Sequence, residues 1–279
     1  MKKNPDIPQH LSEARRHIET GAFDNALSEC RKAIKKDPNA MEPRELECNI
    51  LVFGLKDYEA AVKTCTRALS VSKKDVEIHL NLGIAYRHLE EYDKALSVYD
   101  AGLRIAPKDP LLWFDKGLAL AYANRHESAV ECYDKAIGLG YKKKNKALYR
   151  KAISLDETGR PGEAVAILRR LLKKDPDNVD ILHNIAFVSQ KMGDLEDAVK
   201  YYGVVIWLTK KDAEAFNSRG DCRLVLGEVH EAIADYEKAF SLEPSNELYA
   251  FNLMNAYGRT GKVNEAVKVV RKFFKKLLS

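Results

Sequence analysis

Alanine followed by a branched aliphatic residue recurs at Ala26-Leu27, Ala61-Val62, Ala95-Leu96, Ala129-Val130, Ala164-Val165, Ala198-Val199, Ala232-Ile233 and Ala266-Val267, at spacings of 35, 34, 34, 35, 34, 34 and 34 residues. A period near 34 is the length of a two-helix unit, and eight such units fill nearly the whole chain. Twelve residues before each alanine stand Ala14, Asn49, Gly83, Gly117, Ala152, Ala186, Gly220 and Met254, mostly small. Helices approach closely only where side chains are short, so these positions mark where the first helix of each unit crosses the second. One turn after the alanines, Cys30, Cys65, Tyr99, Tyr133, Leu168, Tyr202, Tyr236 and Val270 form a predicted core stripe. Pro38, Pro107, Pro176 and Pro244 close the second helices. Asp75, Asp109, Asp212 and Asn246 are candidate caps of the helices that follow. The two spacings of 35 predict one extra turn residue each.

These residues resemble the tetratricopeptide repeat family, whose small eighth, Ala twentieth, aromatic twenty-fourth and Pro thirty-second positions recur here as Gly83, Ala95, Tyr99 and Pro107. The resemblance implies an all-α fold, an alpha-alpha superhelix of antiparallel helix pairs. It implies a single domain over 7–279 after an N-terminal tail at 1–6, with repeats at about 7–40, 42–75, 76–109, 110–143, 145–178, 179–212, 213–246 and 247–279. Asn49 and Met254 depart from the small position, and Pro161-Gly162 alters the turn inside the fifth repeat. A unit of this kind cannot bury its apolar face alone and leans on its neighbours.

Composition fits this picture: 46% of the residues are hydrophobic and 31% charged, a balance of solvated helices with a continuous buried seam. The net charge of +5 falls short of the clustered basic footprint of a nucleic-acid binder. The first ten residues, MKKNPDIPQH, lack the apolar core of a secretory signal. The longest apolar run, 203–208, is too short to span a bilayer, so a cytoplasmic location and no membrane partner are expected.

No HExxH, GxxxxGK[ST] or GxSxG occurs, the seven histidines lack metal-ligand spacing, and the five cysteines form no CxxC pair. No catalytic residue, metal site or cofactor is expected, and Cys30, Cys48 and Cys65 read as packing residues. The expected function is a non-enzymatic scaffold that binds a protein or peptide.

In the family, the second, fifth, sixth and ninth positions of each first helix face a groove. That resemblance assigns Leu80, Asn81, Ile84, Phe114, Leu118, Lys146, Tyr149, Arg150, Ile153, His183, Asn184 and Phe187 to partner binding. Lys146 and Arg150 match the last element of the clamp that grips chaperone tails, but Asp115, Leu80 and Ile84 replace its other members. An acidic partner segment near Lys146 and Arg150 is the expectation that survives. At the far end, Phe274 and Leu278 lack a polar capping helix and are candidates for self-association in a homo-oligomer. The alternatives are a structural subunit and an RNA-binding helical repeat, the latter disfavoured by the dominant 34-residue period and the mild charge.

Overall fold

The computed structural model describes residues 6–277, so Leu278 lies outside the described residues. Among these, sixteen α-helices alternate with short turns and no strand occurs. The chain forms two compact units, 1–154 and 155–279. The first holds α1 (Asp6–Glu19), α2 (Phe23–Lys36), α3 (Glu42–Asn49), α4 (Tyr58–Val71), α5 (Val76–His88), α6 (Tyr92–Ile105), α7 (Pro110–Tyr122), α8 (His126–Gly138) and most of α9 (Lys144–Glu157). The second holds α10 (Pro161–Leu172), α11 (Val179–Met192), α12 (Leu195–Thr209), α13 (Ala213–Val225), α14 (Val229–Leu242), α15 (Glu247–Arg259) and α16 (Val263–Leu277). No helix of the described residues is long and apolar enough to cross a membrane.

The helix ends follow from local chemistry. The side chains of Asp75, Asp109, Asp212 and Asn246 each accept a backbone N–H two or three residues on, which satisfies a donor left open by the first turn. Inside each repeat the turn between the paired helices contains one left-handed residue: Gly21, Lys56, Glu90, Asn124, Gly159, Gly193, Gly227 and Gly261. Five are glycines, for which this conformation carries no Cβ penalty; Lys56 and Glu90 adopt it against their preference.

The crossings are as tight as the small residues imply. Ala26, Ala61, Ala95, Ala129, Ala164, Ala198 and Ala232 are completely buried. A Cβ placed on Gly83 would meet the Tyr99 ring at 2.3 Å, on Gly117 the Tyr133 ring at 2.7 Å, and on Gly220 the Tyr236 ring at 2.8 Å. In these repeats the glycine lies against the ring of the tyrosine on the partner helix.

The second repeat corrects the sequence reading. Its extra residue does not sit in a turn: α3 widens into a π-helical segment, Ile50–Leu55, before the left-handed Lys56. A π turn takes one residue more than an α turn, so the insertion is absorbed within the helix. The crossing position therefore falls on buried Cys48, not on half-buried Asn49. The neighbouring Cys65 thiol together with burial pushes the Cys48 thiol pKa up. The small-residue rule thus holds in this repeat once the register is shifted by one. The other extra residue does lie in a turn, between α8 and α9.

Gly83→Ala is expected to overpack the Tyr99 contact and destabilise the chain by about 1–3 kcal/mol. Gly162→Ala, at a helical glycine with nothing within 4 Å of the added Cβ, is expected to be neutral or stabilising. Urea midpoints of the two variants check the contrast.

Candidate functional site

Within the first unit, burial divides the expected binding residues. Phe114 is only 2% exposed; its ring stacks on Tyr141 at 4.5 Å and tilts against Tyr133 at 5.9 Å. Ile84 and Leu118 are buried, and Leu80 is half-buried between two apolar clusters. Asn81, 1% exposed, donates to Asn49 Oδ1 at 2.9 Å, and Asn49 in turn donates to Glu77. These side chains make the wall rather than the open surface, which corrects the assignment of the Phe114 ring to direct partner contact. Tyr149, Arg150 and Ile153 are half-buried and Lys146 is exposed, with its ammonium 5.6 Å from the Phe114 ring centre.

Arg87 and Asp115 lie beside them, both largely buried, yet their closest approach is a loose 3.7 Å. Burial pushes the Asp115 carboxyl up to about 6, against the opposing pull of Arg87 and Lys146. The buried Arg87 Nε and Tyr133 hydroxyl have no hydrogen-bond partner, and the Tyr99 hydroxyl faces Arg87 without a well-formed bond. Arg150 enters no ion pair among the described residues. The region is thus rich in cations and donors and holds one carboxylate between them. Arg87 and the two hydroxyls were not singled out from the sequence, because the tyrosines read as core and Arg87 lies outside the family's usual groove positions.

In the second unit, His183 packs edge-on against Tyr202 at 5.5 Å, and Asn184 donates to the Asp180 carbonyl. Phe187 is 47% exposed, with the Lys191 ammonium 5.5 Å from its ring centre. Lys191 also donates to the buried Asp156 at 2.8 Å. Farther along, Phe274 is 53% exposed and borders a groove of about 610 Å³ lined also by Leu248, Phe251, Met254 and Phe273.

Three models of the tetratricopeptide repeat match residues 52–116, 114–179 and 167–200, which join into a stretch covering more than half the chain. The chain belongs to the tetratricopeptide repeat family. A fourth model, the bacterial transcriptional activator domain, matches residues 187–279. A tetratricopeptide repeat protein from Parabacteroides merdae superposes with a TM-score of 0.64 at 21% identity, covering 91% of this chain and 99% of that one. YrrB, described as a TPR protein with an unusual peptide-binding site, superposes with a TM-score of 0.58 at 19% identity, covering 67% of this chain and 96% of its own. At these identities the likeness is one of fold. A 67-residue stretch is 36% identical to FK506-binding protein 59 of Drosophila melanogaster and covers 24% of this tetratricopeptide chain but 15% of that relative.

Because the Asp115 pKa rises on folding from 3.8 to about 6, its ionisation costs stability. The cost is absent below about pH 4, grows as pH rises and is complete above about pH 6. Asp115→Asn is therefore expected to raise the melting temperature at pH 7, by the equivalent of up to about 3 kcal/mol, and to leave it unchanged near pH 4. Thermal melts of both proteins across this range check the sign.

Proposed function

We propose that the chain is a non-enzymatic protein-interaction scaffold that receives an acidic segment of a partner at Lys146 and Arg150. The observation that carries this reading is the half-buried Arg150 guanidinium, outside any ion pair among the described residues, whose charge acts on the buried Tyr133 hydroxyl, a donor that lacks an acceptor. A guanidinium fork holds a carboxylate through two parallel hydrogen bonds, and partial burial strengthens them relative to water. Lys146 adds a second cation at the rim. Tyr149 and Ile153 flank the charge with half-buried apolar surface, while the buried Phe114 supports Lys146 from below. In the second unit the exposed ring of Phe187, with His183 and Asn184 on the same helix, is proposed as a separate apolar contact for partners. The cytoplasm is the compartment proposed for this scaffold.

Capture of native partners by the immobilised chain is expected to fall at least tenfold with Lys146→Glu/Arg150→Glu, since hydrogen bonds to charged groups contribute about 1.5–3 kcal/mol each. Circular dichroism should be unchanged, and ribonuclease treatment should leave the captured set intact. Undiminished capture by the variant would overturn the reading, and loss of capture on ribonuclease treatment would favour RNA.

A second reading, self-association through α16, is favoured by the exposed Phe274 ring beside its apolar groove. Sedimentation at high concentration is expected to show a species larger than the monomer, reduced to monomer by Phe274→Glu.

A further inference from the structure

We propose that His10, Glu13 and Glu29 form a binding site for one divalent transition-metal ion, zinc foremost, where α1 meets α2. His10 and Glu13 are three residues apart in α1, so one helical turn brings their side chains to one face. Glu29 reaches the same point from α2. His10 Nδ1 lies 2.7 Å from Glu29 Oε2, and one ligand atom from each of the three residues falls within 4.8 Å of the others.

A tetrahedral zinc ion with bonds of about 2.0–2.2 Å to nitrogen and oxygen holds neighbouring ligand atoms roughly 3.3–3.5 Å apart. Small rotamer changes of His10 and Glu13, both half-buried, close the set to that size, and Glu29 is the fixed point. One imidazole and two carboxylates supply three ligands and a charge that balances a divalent cation, with the fourth position left for water. Imidazole as a ligand selects zinc and its transition-metal neighbours over magnesium or calcium.

The two oxygens of Glu29 already have different tasks. Oε1 accepts a hydrogen bond from Lys32 Nζ at 2.6 Å, while Oε2 faces His10. Lys32 thus orients the carboxylate from behind and leaves the other oxygen for the ion, the arrangement by which outer partners position metal ligands. Along the sequence the set is hidden, because the third ligand comes from the next helix.

The test is calorimetric titration of zinc chloride into the full chain, stripped by a chelator and kept reduced. The expected result is one saturable equivalent, a higher melting temperature on loading, and no competition from excess magnesium. His10→Asn and Glu13→Gln should each weaken zinc binding at least tenfold; Glu13→Gln should leave the metal-free melting temperature unchanged, whereas His10→Asn, which loses the contact with Glu29, should lower it. Absence of a stoichiometric equivalent in the unmodified chain, or equal affinity in both variants, overturns the proposal; the second result would place zinc on other histidines or cysteines.

Discussion

The architecture depends on a contact that recurs at Gly83–Tyr99, Gly117–Tyr133 and Gly220–Tyr236, where a bulky side chain of the second helix lies against a residue of the first helix that has no side chain. At Gly83 and Tyr99 the fit leaves no room for a methyl group. Such a contact fixes the distance between paired helices and with it the place where the next pair stacks. It also decides where polar chemistry arises, because the preferred bulky residue is tyrosine, whose ring fills the crossing while its hydroxyl is carried inside. Tyr202 and Tyr236 find acceptors there in Gln190 and Asp221. Tyr133 does not, and the donor-rich region of the first unit grows from that difference.

Two buried carboxylates, Asp115 in the first unit and Asp235 in the second, are met in opposite ways. In the second, Asp235 receives Arg219 through two hydrogen bonds at 2.9 and 2.6 Å and Arg223 at 2.8 Å, so the carboxylate is fully met by its neighbours. In the first, Arg87 and Asp115 stand 3.7 Å apart and the arginine keeps a donor without a partner. A buried charge with close, multiple partners reads as part of the scaffold. One with a loose partner and spare donors retains capacity for an acceptor from outside, which is why the proposed contact with an acidic segment lies in the first unit.

Periodicity made the helix pairs, their crossings and four of their caps legible in the sequence, since burial recurs at fixed positions and cap chemistry is local. What it missed arises from side chains that meet off the period. Phe114 is covered by Tyr141, which stands in the lengthened turn between α8 and α9 and belongs to no repeated position. Asn81 is engaged by Asn49, a residue turned away from the crossing by the π-helical segment that follows it. The loose pair Arg87–Asp115 and the convergence of His10, Glu13 and Glu29 join residues of different helices, and no spacing within one helix announces them.

The left-handed turn residue of every repeat follows the same spacings as the alanines, including both intervals of 35. Each extra residue is thus cancelled before the next paired helix begins, once inside a helix and once in a loop. Errors of phase do not accumulate along the chain. An array of this kind can gain or lose single residues in one unit while every later unit keeps its own alignment, so individual units are free to diverge in surface and cargo without disturbing the rest.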